Sequence, residues 1–168
     1  AIYGLDQPLM IRYAHWLLAA LQGDFGYSRV HSEPVLTVLA PALWQTCKLI
    51  AFSFSLAVVL SFVLGILAAL RPGGWLDGAV SLFAFAGIST PVFWLALMLI
   101  LVFAVQMHAL PASGIANIAD GGLVDRTRHL ILPVITLAVY QAGTYTRFVR
   151  ASMIETLRMD HVRTARAK

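Results

Sequence analysis

Residues 49–70 read LIAFSFSLAVVLSFVLGILAAL and contain no charged side chain. An α-helix of this length extends about 33 Å, which matches the roughly 30 Å hydrocarbon core of a bilayer. Lys48 precedes the stretch, and its aliphatic stem can lie along the helix while its ammonium group reaches water. The stretch therefore predicts a transmembrane helix.

The composition of the whole chain agrees with membrane embedding. Of its 168 residues, 12% are charged, against about 25% in a soluble domain, and the mean hydropathy is +0.80. The length is sufficient for one domain. Basic residues exceed acidic ones, but they do not line a soluble face, so we expect no nucleic-acid partner.

A second uncharged run covers residues 79–107, after the turn-rich segment RPGGWLDG at residues 71–78. One straight helix of this length would extend about 43 Å, which is too long for an untilted span. Pro91 lies inside the run, where it removes a helical hydrogen bond. We expect a kink or break between Ser89 and Pro91, either an ordinary proline kink or a functional hinge.

A third candidate span, LILPVITLAVYQAGTYT, covers residues 130–146. It is near the lower limit of about 17 residues for a span, and it carries several polar side chains that must find partners in lipid. Such a helix faces other helices or a water-filled path. The candidates for a path lining are Ser89, Thr90, Pro91, Gln141 and Thr144; the alternative is that they are packing contacts.

The distribution of charge predicts the orientation. Residues 147–168 carry six basic and two acidic side chains, which places this segment in the cytoplasm by the positive-inside rule. Three spans then place residues 71–78 in the cytoplasm as well, and residues 1–48 and 108–129 outside. Apolar residues from Leu9 to Ala20 recur at helical spacing, so we expect an amphipathic helix in the outer N-terminal segment.

The sequence lacks the residue patterns of several kinds of functional site. The predicted spans contain no His beside their serines to form a nucleophile–base pair, and no charged residue of the kind that ion-coupled transporters place at membrane depth. Cys47 is the single cysteine, and no GxxxxGK[ST] loop for ATP is present. We therefore expect no catalytic residue, no metal site and no cofactor, and the protein either takes its energy from a partner or works passively.

The C-terminal stretch RASMIETLRMDHVRTARAK, residues 150–168, resembles the coupling segment of inner-membrane permease subunits of bacterial ABC importers, in the dipeptide, oligopeptide and nickel group. Other stretches match that family in the same order along the chain: YGLDQPL, GDFGYS, ISTPVFWLALMLI, LPASG and HLILPVITLA. The resemblance covers nearly the whole chain. It implies an all-α, polytopic transmembrane bundle, and it implies that the chain is part of a longer permease with one span before it and about two after it.

The resemblance also implies partners: a second permease, two ATPase subunits that hydrolyse ATP, an external substrate-binding protein and the inner-membrane bilayer. The family's EAA motif forms a short coupling helix that contacts the ATPase. Here it corresponds to Asp160, His161, Val162, Arg163, Thr164, Ala165, Arg166, Ala167 and Lys168. Arg163 stands where the general motif has Glu, and His161 replaces the usual Tyr.

Two alternatives remain open from the residues themselves. The basic C-terminal helix could rest on anionic lipid, or the chain could be a structural subunit that anchors a cytoplasmic complex to the membrane. The sequence does not identify the substrate, because similar permeases transport peptides, nickel complexes, glutathione and opines.

Overall fold

The computed structural model describes residues 7–116, 121–160 and 162. This part of the chain is mostly helical and contains almost no sheet, which confirms the predicted all-α class. The helices are α1 (Leu9–Leu21), α2 (Val35–Leu70), α3 (Trp75–Ser89), α4 (Val92–Leu99) and α5 (Leu123–Arg158), and a π-helical segment, Ile100–Gln106, continues α4.

The chain divides into two compact units, Ala1–Lys48 and Leu49–Lys168. Within the first unit, α1 confirms the predicted N-terminal helix. A short antiparallel hairpin follows it, with β1 (Tyr27–Ser28) paired to β2 (Glu33–Pro34). Many apolar side chains of α1 are exposed, and the location of this helix on the outer membrane surface stays a prediction.

Helix α2 contains the apolar stretch at residues 49–70 but begins earlier, at Val35. By length and apolar composition it can cross a membrane. Its buried residues are small, and all except Ala68 recur every fourth position: Ser53, Ala57, Ser61, Gly65 and Ala69. Small side chains on one stripe let a neighbouring membrane helix approach closely.

The second apolar run forms two helices rather than one. Trp75–Ser89 and Val92–Gln106 meet at an angle of 105°, far beyond a gentle helix curvature. Thr90 is extended, with ψ 124°, because the ring of a proline pushes the preceding residue out of the helical region. The break expected between Ser89 and Pro91 is confirmed, and the pair is long and apolar enough to cross a membrane together.

Helix α5 runs without interruption from Leu123 to Arg158, and Pro133 lies inside it. It therefore contains residues 130–146 and continues into the basic C-terminal segment. It is not among the described helices that are both long and apolar enough for a span, so its crossing of the membrane stays a prediction.

The core of the second unit forms where α5 packs between α2 and α3. A Cβ added to Gly65 of α2 would lie 2.8 Å from Val149 Cβ, and a Cβ added to Gly143 would lie 2.8 Å from the carbonyl oxygen of Ala84 in α3. Both helix crossings thus require glycine, because a larger residue would collide with α5 or with the α3 backbone.

Candidate functional site

A cavity of about 810 Å³ lies between α3 and α5. Its lining combines apolar and polar side chains: Ser81, Phe85, Ile88, Thr144, Arg147, Phe148, Arg150 and Ala151. Thr144, one of the predicted path residues, lines this cavity. The other four, Ser89, Thr90, Pro91 and Gln141, are not among its lining residues.

Three of the predicted path residues form the bend between α3 and α4. Ser89 and Pro91 are exposed, and Thr90 is half-buried. The backbone N–H of Thr90 donates to the carbonyl of Ala86 at 3.0 Å, and the N–H of Leu95 donates to the carbonyl of Pro91 at 3.0 Å. The backbone groups on either side of the bend thus retain partners, which gives the bend a defined geometry.

The bend lies close to the polar part of α5. A Cβ added to Gly87, just before the bend, would lie 3.1 Å from the carbonyl oxygen of Val139 and 3.7 Å from Gly143 Cα. Gln141 and Thr144 flank this crossing on α5, the first half-buried and the second exposed. The bend residues and Thr144 therefore lie near one crossing of α3 with α5, and Gln141 follows two positions after Val139.

A smaller cavity of about 380 Å³ lies between α4, residues 111–114 and α5. Buried His129 lines it, and its Nδ1 is 2.8 Å from the carbonyl oxygen of Asp125, to which it donates. Sequence reasoning placed His129 in an external loop. The spacing of His129, Leu132 and Thr136, one helical face, was the signal that this histidine belongs to the buried side of α5.

Asp77 and Arg150 form an ion pair that sequence reasoning missed. The Nε of Arg150 donates to Oδ1 of Asp77 at 2.5 Å, and Nη2 donates to Oδ2 at 2.7 Å. Asp77 is the lone acidic residue between Glu33 and Asp120. An isolated carboxylate beside an apolar run requires a counter-ion, and this was the available signal, although it does not name the partner.

The predicted coupling segment begins where α5 ends. Met159 is extended, with ψ 148°, and Asp160 and Val162 are again helical. The N–H of Val162 donates to the carbonyl of Met159 at 3.1 Å. The remaining residues of the segment, His161 and 163–168, lie outside the described residues, so the coupling role stays a prediction.

Comparison with known proteins supplies the family. Residues 61–168 match the family described as binding-protein-dependent transport system inner membrane component. The oligopeptide transport system permease protein AppB of Bacillus subtilis is 37% identical over 168 residues, covering 99% of this chain and 53% of AppB. The metal-staphylopine import system permease protein CntB of Staphylococcus aureus is 37% identical over 165 residues, covering 98% of this chain and 50% of CntB.

The chain thus spans about half the length of the curated relatives it matches. The family match includes the bent helix pair, α5 and the basic segment after it. The chain therefore belongs to the family of binding-protein-dependent transport system inner membrane components.

Proposed function

We propose that this chain is part of the permease subunit of an ATP-driven ABC importer. The observation that carries the proposal is the family match, which extends through residue 168 and so includes the segment that resembles a coupling helix. The subunit forms the translocation path together with a second permease. ATP is hydrolysed on two separate ATPase subunits, and an external binding protein delivers the solute.

Helix α5 is suited to transmit movement in this mechanism. It is continuous from Leu123 to Arg158 and is followed by a change of backbone direction at Met159. ATP binding closes the ATPase subunits, displaces the segment at residues 160–168 and moves α5 with it. The helices then open the path alternately to the two sides of the membrane.

The transported solute is a peptide or a related small solute. AppB is named as an oligopeptide permease and CntB as a permease for a metal complex of staphylopine. We place the path at the crossing of α3 and α5, where Thr144 lines the larger cavity. Ser89, Thr90 and Pro91 form the bend beside it, and Gln141 is the remaining candidate on α5.

The orientation follows from the positive-inside rule. Residues 71–78 and 147–168 are cytoplasmic, and residues 1–48 and 108–129 face the outside of the inner membrane. With Cys47 replaced by Ser, a cysteine at exposed Ala112 should react with an impermeant thiol reagent in intact cells. A cysteine at Thr164 should react after permeabilisation, and the opposite pattern would reverse the orientation.

The coupling role is tested by comparing Ala165→Asp with Arg166→Glu in the full-length permease. A coupling helix in a tight cleft loses transport or its ATPase partner with Ala165→Asp, because an unpaired charge enters a buried contact. Arg166→Glu should have the smaller effect, since an exposed ion pair contributes about 0–1 kcal/mol.

The alternatives predict other results. A helix resting on anionic lipid is more sensitive to Arg166→Glu, because each basic residue near the surface contributes about 1 kcal/mol. A structural anchor copurifies with neither an ATPase nor a second permease. Normal uptake and normal ATPase copurification in Ala165→Asp would contradict the coupling role.

A further inference from the structure

The ion pair between Asp77 and Arg150 connects segments that are distant in the sequence. Asp77 lies in the first turn of α3, and Arg150 lies near the end of α5. Oδ2 of Asp77 also accepts a hydrogen bond from the backbone N–H of Gly73 at 2.9 Å. From the first turn of α3, one carboxylate therefore contacts both the turn between α2 and α3 and the C-terminal part of α5.

The geometry of this contact fixes orientation as well as distance. The guanidinium group meets both carboxylate oxygens, and such paired contacts constrain the relative angle of the two groups. The Asp77 side chain is 7% exposed and that of Arg150 is 31% exposed. Gly73 has φ +78°, a left-handed conformation that glycine adopts without steric cost. In this conformation the Gly73 N–H donates to the Asp77 carboxylate.

A second contact between the same helices lies farther along the interface. Ala84 is two helical turns beyond Asp77 on α3, and Gly143 is two turns before Arg150 on α5. The two helices touch there, because a Cβ on Gly143 would lie 2.8 Å from the Ala84 carbonyl oxygen. One contact allows two helices to pivot, whereas two contacts separated along the axis prevent pivoting.

We propose that the Asp77–Arg150 ion pair makes α3 and α5 move as one rigid body. Asp77 and Arg150 are then positioning residues of the transporter. When the segment after α5 is displaced, α5 and α3 move together without a change of the angle between them. The movement of α3 then shifts the bend at Pro91. This inference rests on the proposed function, since it takes α5 as the helix that the ATPase subunits move.

The test measures the α3–α5 distance in the full-length permease, assembled with its partner subunits in liposomes. With Cys47 replaced by Ser, spin labels at Leu82 on α3, which is 69% exposed, and at exposed Ser152 on α5 report the distance by pulsed electron paramagnetic resonance. The samples are nucleotide-free or contain ATP and vanadate. For the unaltered pair we expect one narrow distance distribution that is the same in both states.

Asp77→Asn removes the charge at nearly constant volume and should broaden the distribution, most strongly with ATP and vanadate. Arg158→Gln is the matched control, since it removes an exposed arginine of the same helix that belongs neither to this ion pair nor to the lining of the cavity between α3 and α5. It should leave the distribution unchanged. A pair that contributes only to stability would lower the melting temperature without nucleotide-dependent broadening.

Arg150→Lys is the second variant, because it keeps the charge but loses the paired contact. Broadening in Arg150→Lys supports the proposal even where Asp77→Asn fails to assemble. Narrow, unchanged distributions in the variants, or a nucleotide-dependent distance in the unaltered protein, would overturn it. If no ATPase copurifies with the permease, the proposed function fails, and the nucleotide-free distributions still decide whether the ion pair makes α3 and α5 rigid.

Discussion

Pro91 and Pro133 lie in apolar stretches of similar character, yet their effects on the backbone differ. Pro91 separates α3 from α4 at a bend of 105°, whereas Pro133 lies within the continuous helix α5. Each ring removes one helical hydrogen bond and crowds the preceding residue. Because these local effects are the same for both prolines, the difference in helix continuity must come from the residues that surround them.

The surroundings of the two prolines provide that cause. Leu132, directly before Pro133, is buried, as are His129 and Thr136 on the same face of α5. Thr136 Oγ1 also donates to the carbonyl of Leu132 at 2.8 Å. Ser89 and Pro91, on either side of Thr90, are exposed, in contrast to the buried residues around Pro133. Proline thus defines where a helix can break, and packing decides whether it does.

The largest effect is expected from overfilling the tight contact between α5 and α3 at Gly143. Gly143→Val places a Cβ 2.8 Å from the carbonyl oxygen of Ala84, and backbone cannot move aside as a side chain can. We expect a loss of stability of about 3 kcal/mol or more, measured by thermal unfolding in detergent. Gly78→Ala is the control, since its Cβ meets nothing within 4 Å; equal losses in both variants would contradict the tight crossing.

Replacing each proline by alanine should change the stability of the protein in opposite directions. Pro133→Ala restores an N–H donor inside a continuous helix and should raise stability by about 1 kcal/mol. Pro91→Ala frees the backbone before α4 and should lower stability by about 0.4–1 kcal/mol. Denaturant unfolding in detergent measures both, and a gain in stability from Pro91→Ala would show that the bend is strained.

Thr146 lies on the buried face of α5. Its Oγ1 is buried and has no hydrogen-bond partner among the described residues, which costs about 1–3 kcal/mol. Thr146→Val removes this hydroxyl and should raise stability by about 1 kcal/mol in thermal unfolding. Thr136→Val is the matched change at a bonded threonine and should give no gain; a loss in Thr146→Val would reveal a partner for that hydroxyl.

The smallest effect on stability is expected at the exposed residues near the bend. Thr144→Leu and Ser89→Leu should change stability by less than about 0.5 kcal/mol, as is usual for exposed sites. If these residues line the path, uptake of a mixed oligopeptide sample by cells should fall while assembly with the partner subunits stays normal. Unchanged uptake in both variants would make them packing contacts.

The sequence predicted the features that depend on local composition. The uncharged stretch at residues 49–70 predicted an apolar helix, and Pro91 predicted the break after Ser89, because hydrogen-bond loss and steric crowding act on neighbouring residues. The family was predicted from ordered motifs and is confirmed. The continuity of α5 through Pro133 was not predicted, since it depends on contacts with other helices.

The sequence by itself determined that this chain forms apolar helices, where one of them breaks and which family it belongs to. The tertiary structure decided which proline is tolerated, which glycines sit at helix crossings and which cation pairs with Asp77. Arg150 is 73 positions away from Asp77 in the chain. Helical periodicity relates residues a few positions apart, so only the packing of α3 against α5 could bring these two charges together.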